Sequence, residues 1–229
     1  MDYGYIKKNL EALKTELSEL QAKYKNPITL VAVTKSGSDD ELLALASYGI
    51  ENIGENRPGE LKRRGELLLA AGYTPALHEI GNLQRNKVKY IIDKVSLIHS
   101  LDNIELAKEI NKRAEAAGRV VPVLIEINSA EEPQKDGVMP SDAMAFYEAI
   151  KDMPNISVRG LMTMGPVCEA PEDIRPYFRL TKQLFDKMKA AGCFTGDGVL
   201  SMGMSDSYRV AIEEGATLVR VGRRLFIKD

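Results

Sequence analysis

The chain has little of several features that would point to other classes of protein. Its 229 residues include two cysteines and no tryptophan, and no apolar run approaches the roughly 18 residues of a membrane-spanning helix. The start lacks the basic-then-apolar pattern of a secretory signal. Acidic and basic residues are mixed along the chain and nearly balanced, at a net charge of −2, which offers nucleic acid or an anionic membrane no broad charged surface. We therefore expect a reduced, cytoplasmic protein that acts on small molecules.

The length and the hydrophobic content predict one well-packed core, so residues 1–229 are expected to form a single domain. Short apolar runs alternate with longer amphipathic segments, a pattern typical of parallel βα units. The strand-like runs are Thr29–Val33, Asn52–Gly54, Leu77–Ile80, Ser96–His99, Val121–Ile127, Ser157–Met162, Val199–Met202 and Thr217–Val221. The helical segments are Tyr3–Lys23, Asp40–Tyr48, Gly59–Ala71, Gln84–Ile92, Asn103–Ala117, Asp142–Lys151, Ile174–Ala190 and Ser207–Glu214.

Eight strands are the number that closes a barrel, so the fold class predicted is α/β, a single (β/α)8 TIM-type barrel with an extra N-terminal helix. An open, doubly wound sheet is the alternative. In such a barrel the active site lies at the C-terminal ends of the strands. Polar residues follow several of the predicted strands at that point, among them Lys35, Asn56 and Ser205.

Lys35 follows a run of apolar and β-branched residues on the first predicted strand. In a barrel, its amine would lie near the mouth, partly shielded from water and facing other cationic groups. Both conditions favour the neutral amine, which is the form that attacks an aldehyde to give an imine. A strand-end lysine whose side chain simply reaches solvent fits the same residues.

The segment Leu200–Ser205 joins the seventh predicted strand to a helix through small and hydroxyl residues. Ser205 is expected to cap that helix, whose free N–H groups would bind an anion. After the eighth strand, Gly222 would let the backbone approach a phosphate closely, and Arg223 and Arg224 would add charge. Barrels commonly bind phosphate with these two loops, so the pair predicts a phosphate site. An ordinary capped helix beside an exposed basic pair is the alternative.

Arg220 interrupts the apolar run of the eighth strand, where an unpaired guanidinium would be costly. An ion pair with Glu55 or Glu126 and a contact with a bound ligand both meet its need for a partner. Methionines also cluster at the predicted strand ends, where they could fill the core or contact a flat ring, and Met202 is the one we include among the candidate contacts.

Eight short motifs lie in order along nearly the whole chain. They are Ala32–Lys35, Gly54–Asn56, His78–Gly81, Leu83–Lys87, Ile98–Asp102, Gly160–Met164, Leu200–Ser205 and Val219–Gly222. Together they resemble those of the pyridoxal phosphate homeostasis proteins, also called proline synthase co-transcribed homologues, which are similar to the N-terminal barrel of alanine racemase. Three positions depart from the family pattern: Leu77, where an aromatic residue is usual, Arg223, where a small or hydroxyl residue is usual, and the tail, which ends Phe226-Ile-Lys-Asp229.

The resemblance implies that the cofactor is pyridoxal 5′-phosphate, held as an imine on Lys35. It also implies that Ser205 and the loop at Gly222 hold the phosphate and that Arg220 faces the pyridine nitrogen. A cation there disfavours protonation of the ring and weakens it as an electron sink. The full set of predicted cofactor contacts is Lys35, Asn56, His78, Met202, Ser205, Arg220, Gly222 and Arg223, with Asn56 and His78 lining the ring pocket.

Racemisation needs a base on each face of the substrate, and in alanine racemases the second base comes from a domain after the barrel. The sequence continues only a few residues beyond Phe226, so we expect Lys35 to lack such a partner. The resulting hypothesis is a non-catalytic carrier that serves intracellular homeostasis of pyridoxal phosphate and hands it to apo enzymes. A pyridoxal-phosphate-dependent amino-acid racemase and a Schiff-base aldolase acting on a sugar phosphate are the alternatives.

The remaining signals predict no further partner. The histidines and cysteines lack the short spacings of metal ligands, so no metal site is expected. The basic run Lys62–Arg64 lies on a predicted helix and is interpreted as a solvated face, not as a site for nucleic acid. No apolar patch that would demand a second chain is evident, so we expect a monomer.

Overall fold

A computed structural model of the chain describes residues 3–228. Eight parallel strands close into a barrel in sequence order, with the first beside the last. They are β1 (Thr29–Val33), β2 (Asn52–Glu55), β3 (Ala76–Glu79), β4 (Leu97–Leu101), β5 (Val121–Glu126), β6 (Ile156–Met162), β7 (Val199–Ser201) and β8 (Leu218–Val221). Each predicted strand is present, and the largest difference is at the end of β4, which was predicted at His99. The closed barrel is confirmed and the open sheet is wrong.

The α-helices are α1 (Gly4–Tyr24), α2 (Asp39–Ser47), α3 (Pro58–Ala70), α4 (Ile104–Ala116), α5 (Ala143–Ile150), α6 (Arg175–Ala190), α7 (Tyr208–Glu213) and α8 (Arg223–Phe226). The predicted helix Gln84–Ile92 is instead a 3₁₀ helix, Arg85–Tyr90, in which bonds such as Ile91 N–H to the Val88 carbonyl close tighter turns. Helix α8 was not predicted, because a single turn carries too little periodicity to be seen in a sequence.

The extra N-terminal helix closes the outer layer where the barrel begins and ends. Its buried residues are Ile6, Leu10, Leu13 and Leu17, spaced three or four apart as one helical stripe requires. Through this stripe α1 contacts α2, α7 and α8, so it covers the seam between β8 and β1. Among residues 3–228, no helix combines the length and the apolar character needed to cross a membrane.

The inside of the barrel differs from the layer between strands and helices. Outward-facing strand residues join the helices in the main core, as Ile53 and Val219 do. Alternating residues point inward and form a smaller apolar cluster, made of Val31, Leu97, Leu124, Met162 and Leu218. Two positions farther along their strands, His99, Glu126 and Arg220 have the same inward direction. The interior is therefore apolar in the middle and polar toward the C-terminal mouth.

Candidate functional site

A cavity of about 360 Å³ opens at the C-terminal mouth of the barrel. Loops after six of the strands contribute to its wall, and its size is that of an ordinary small-molecule pocket. The predicted contacts that line it are Lys35, Asn56, Ser205, Arg220, Gly222 and Arg223. His78 and Met202 do not line it. The structure thus brings most of the predicted residues together at the end of the barrel where they were expected.

Lys35 occupies the turn directly after β1 and lines the cavity. The turn is closed by the Gly37 N–H, which donates to the Thr34 carbonyl at 2.9 Å. Lys35 itself is exposed, so its surroundings are more open than the partly shielded position predicted from the sequence. Its amine is accessible to a ligand that enters from the mouth.

A buried arginine of α3 holds both ends of the Lys35 turn. Arg64 is 7% exposed and donates to the carbonyls of Thr34, at 2.5 Å, and Gly37, at 2.7 Å. Its guanidinium also pairs with Glu55 Oε1 at 2.6 Å, and the Thr34 hydroxyl donates to the same oxygen. The interpretation of Lys62–Arg64 as a solvated face is therefore wrong for Arg64, which faces inward and fixes the turn.

The loops after β7 and β8 are joined directly, although not through the predicted helix cap. Ser205 Oγ accepts the Gly222 N–H at 3.3 Å. Helix α7 begins only at Tyr208, and its N-cap residue, Ser207, makes no side-chain capping bond. The Ser207 hydroxyl instead accepts the N–H of Met204 in the preceding loop, at 3.1 Å. The prediction that Ser205 caps this helix is wrong, because the loop continues for one more turn before the helix starts. Its hydroxyl instead links the two loops predicted to hold phosphate.

Arg223 lies at the rim of the cavity and forms an ion pair with Asp206. Both side chains are largely exposed, that of Arg223 by 70% and that of Asp206 by 71%. An exposed pair of this kind contributes little to stability. The guanidinium is thus near the phosphate loops but already has a carboxylate partner.

Arg220 is 2% exposed and reaches the cavity from the barrel interior. It donates to Ser201 Oγ at 2.6 Å and to the Thr163 carbonyl at 3.0 Å. Among residues 3–228, no carboxylate lies within 4.0 Å of its guanidinium. Of the two alternatives for Arg220, the ion pair with Glu55 or Glu126 is therefore wrong, and Glu55 pairs with Arg64 instead. Burial lowers the pKa of Arg220 to about 10, and the more distant charge of Glu126 opposes this shift.

His78 lies behind the cavity wall, in contact with a second buried histidine. Its Nδ1 is 2.9 Å from His99 Nε2, and its Nε2 is 3.2 Å from Asn52 Oδ1. Burial lowers the pKa of His78 to about 4 and that of His99 well below its ordinary value, so both rings are neutral near pH 7. Within the described part of the chain, no group of three or more His, Cys, Asp or Glu could hold a metal ion.

Met202 is fully buried in the main core. Met164 and Met204 line the cavity in its place. Alternation along the strand explains this arrangement, because Ser201 faces the barrel interior and the next residue therefore faces the surrounding helices, as Leu200 does. The apolar contact with a flat ligand that was predicted for Met202 is therefore available from its neighbour two residues on.

Known proteins are similar to this chain in sequence and in fold. The family model described as "Alanine racemase, N-terminal domain" matches residues 8–228. The pyridoxal phosphate homeostasis protein of Aquifex aeolicus (strain VF5) is 42% identical, over 91% of this chain and 90% of that protein. The protein of the same name from Helicobacter pylori (strain 26695) is 35% identical over 99% of both chains. The chain belongs to the pyridoxal phosphate homeostasis protein family.

Solved structures support the assignment to the pyridoxal phosphate homeostasis protein family. PipY of Synechococcus elongatus PCC7942, with pyridoxal phosphate bound, is 26% identical with a TM-score of 0.84, over 97% of this chain and 100% of that one. An alanine racemase of Clostridium difficile 630, 18% identical with a TM-score of 0.75, shares the fold; it is matched over 96% of this chain and 60% of its own. The resemblance inferred from the eight motifs is confirmed.

A carboxyl group is buried directly before two residues that line the cavity, Ile80 and Gly81. One oxygen of Glu79 accepts the Gly81 N–H at 3.2 Å, and the other has no partner among the described residues. Burial raises the pKa of Glu79 to about 8, and repulsion from Glu55 adds to the shift. The folded protein therefore keeps a proton on Glu79 that the unfolded chain loses above about pH 4.5.

Stability should consequently fall as the pH rises from about 6.5 to about 8. In this range the folded protein binds more protons than the unfolded chain; below about pH 6.5, the lowered pKa values of the histidines act in the opposite sense. We expect Glu79→Gln to remove most of the fall, and Glu126, whose pKa burial raises to about 7, to account for the rest. Urea unfolding of the wild-type protein and of Glu79→Gln at several pH values measures this fall in stability. An equally steep fall in Glu79→Gln would contradict a protonated Glu79.

Proposed function

We propose that this chain binds pyridoxal 5′-phosphate and serves intracellular homeostasis of that cofactor as a carrier without a dedicated reaction. One observation carries the proposal: a single cavity of about 360 Å³ brings together the Lys35 amine, the joined loops of Ser205 and Gly222, and the Arg220 guanidinium. Pyridoxal phosphate presents an aldehyde, a phosphate and a ring nitrogen to these three groups. Curated relatives carry the homeostasis name, and PipY has the cofactor bound.

The residues present fit the cofactor. Lys35 would bond covalently to the aldehyde, and the Ser205 hydroxyl with the loop at Gly222 would hold the phosphate. A Cβ on residue 222 would lie 2.7 Å from the Val33 carbonyl oxygen, so the absence of a side chain lets this loop pack against the end of β1. That contact keeps the loop at Gly222 at a fixed distance from the Lys35 turn.

Arg220 would face the ring nitrogen, and Asn56 would lie beside the ring. When bound, the cofactor supplies an electron-withdrawing ring, and a guanidinium at its nitrogen disfavours the protonated form that withdraws electrons best. Met164 and Met204 would offer apolar contact to the ring faces. The chain's own residues therefore bind and orient the cofactor while damping its reactivity.

The groups that could act as bases favour a carrier over a racemase. Among the described residues that line the cavity, these groups are Lys35 and Asp206, and Asp206 is paired with Arg223 at the phosphate end. Racemisation needs a base on each face of the substrate. We expect a visible absorption band when pyridoxal phosphate is added and no steady-state interconversion of L- and D-alanine. Interconversion that is lost in Lys35→Ala would establish the racemase, and a colourless protein would favour the sugar-phosphate aldolase.

Ser205→Ala should weaken the binding of pyridoxal phosphate about tenfold, as expected when one hydrogen bond to a charged group is lost. Binding of pyridoxal, which lacks the phosphate, should change little. Arg223→Ala is the matched comparison, because its exposed guanidinium is already paired with Asp206, and we expect a smaller effect. Equilibrium titration with both ligands measures these affinities. An equal loss for both ligands in Ser205→Ala would mean that the hydroxyl does not serve the phosphate.

The cellular setting and the partners of the carrier are also part of what we propose. We place it in the cytoplasm as a monomer whose partners are pyridoxal phosphate and the apo enzymes that receive it, with no role for nucleic acid or a membrane. The exposed position of Lys35 supports transfer, since an acceptor can approach the amine from the mouth without unfolding the barrel.

A further inference from the structure

A continuous chain of hydrogen bonds crosses the interior of the barrel behind the cavity. This hydrogen-bond relay begins at Arg220, which donates to Ser201 Oγ at 2.6 Å. Ser201 Oγ lies 3.0 Å from His99 Nδ1, and His99 Nε2 lies 2.9 Å from His78 Nδ1. His78 Nε2 lies 3.2 Å from the side-chain oxygen of Asn52, at the start of β2. Five strands thus contribute one side chain each.

These side chains are enclosed, apart from the last. Ser201 and His99 are 0% exposed, Arg220 is 2% and His78 is 5% exposed. Asn52 is half-buried and lines a separate cleft of about 300 Å³ between α1 and the first strands. The relay therefore runs from the cavity at one end of the barrel to solvent at the other end.

The hydrogen bonds of this relay must all point in the same direction if every buried donor and acceptor is to have a partner. A guanidinium donates and cannot accept, so Ser201 accepts from Arg220 and its own O–H is free to donate to His99 Nδ1. His99 then donates from Nε2 to His78 Nδ1, and His78 donates from Nε2 to Asn52. The reverse order would leave the Ser201 hydroxyl hydrogen without an acceptor in the core, at a cost of about 1–3 kcal/mol.

We propose that Ser201, His99 and His78 are positioning residues that hold Arg220 in place for the cofactor's ring. This inference rests on the proposed function. Arg220 lacks a carboxylate partner, so its orientation depends on Ser201 and on the Thr163 carbonyl. The two histidines keep the Ser201 hydroxyl turned away from Arg220, so that the oxygen presents a lone pair to the guanidinium. Both histidines must then be neutral and carry their hydrogen on Nε2.

The first test needs no cofactor. ¹⁵N NMR of the two imidazole rings in the wild-type protein at about pH 7 distinguishes the tautomers. We expect Nε2–H on both His78 and His99. A hydrogen on Nδ1 of either ring, or a charged ring, would overturn the proposed direction and with it the positioning role.

The second test compares Ser201→Ala with Ser100→Ala, both loaded with pyridoxal phosphate. Ser100 is a buried serine of β4 whose Oγ has no partner among the described residues, so it controls for the loss of a buried hydroxyl. We expect Ser201→Ala to shift the absorption maximum of the bound cofactor and to speed its release about tenfold, the effect of a lost hydrogen bond to a charged group. Ser201→Thr retains the hydroxyl and should restore both values, whereas Ser100→Ala should change neither.

The outcomes separate this inference from the proposed function. A wild-type protein that gives no band with pyridoxal phosphate overturns the proposed function, and the relay loses its role with it. A wild-type protein that binds, with Ser201→Ala indistinguishable from Ser100→Ala, overturns the relay alone. If Ser201→Ala fails to fold, the wild-type NMR spectrum and Ser201→Thr decide the question, because an Nδ1–H tautomer still contradicts the relay.

Discussion

Lys35→Ala should abolish the covalent attachment of pyridoxal phosphate and weaken its binding at least about tenfold. The imine is the one bond in the site that only this amine can supply, whereas the phosphate and ring contacts remain in the variant. Lys35 is exposed and its turn is held through backbone carbonyls, so the free energy of unfolding should change by less than about 0.5 kcal/mol. Visible absorption during titration with the cofactor, followed by borohydride reduction, measures the loss.

Lys135→Ala is the control for this experiment. Lys135 is a second lysine with an exposed side chain, and it pairs with Glu132 at 2.6 Å. It should retain the wild-type band and affinity. A Lys35→Ala protein that still fixes the cofactor on reduction, or a Lys135→Ala protein that loses it, would place the covalent bond elsewhere.

Arg64→Ala should destabilise the protein by about 3–5 kcal/mol, the range for removing one partner of a buried ion pair. It leaves the carboxylate of Glu55, which is 1% exposed, without its guanidinium. It also leaves the carbonyls of Thr34 and Gly37 without their donor. Because these carbonyls are the two ends of the Lys35 turn, covalent attachment of the cofactor should slow as well. Urea unfolding and the rate at which the absorption band appears measure the two effects.

Arg63→Ala is a matched control, since it removes the same side chain one residue earlier on the same helix. Arg63 is 47% exposed and pairs with Asp39 and Glu60. Exposed pairs contribute at most about 1 kcal/mol, so this variant should lose little stability and attach cofactor at the normal rate. If Arg64→Ala lost no more than Arg63→Ala, the assignment of Arg64 to the turn would be wrong.

The barrel could be predicted because its signals are local and periodic. The strands are apolar runs, and the helices between them are amphipathic and end at glycines. The glycines just after α2, α3, α4, α6 and α7 all have positive φ, as the left-handed end of a helix requires; they are Gly49, Gly72, Gly118, Gly192 and Gly215. The 3₁₀ helix escaped prediction because Val88, inside it, and Ile91, Ile92 and Val95, after it, are buried at the spacing of an α-helix. Only the backbone hydrogen bonds distinguish the two.

The residues of the cavity wall could be predicted because a barrel places the ends of its strands together. The supporting residues could not. The basic run Lys62–Arg64 does not by itself show which side chain faces inward. Arg64 shares the buried face of α3 with Leu61 and Leu68, and its carboxylate partner is known only from the fold. Ser201 and His99 are separated by 102 residues in the sequence. They meet only because both side chains point into the barrel, from two strands that are far apart in the sequence.

The assignment of the covalent bond to Lys35 is tested most directly by locating the modified residue in the wild-type protein. The protein would be loaded with pyridoxal phosphate, reduced with borohydride, digested and analysed by mass spectrometry. We expect a reduced cofactor on Lys35. Modification of other lysines without Lys35, or no modification at all, would contradict it.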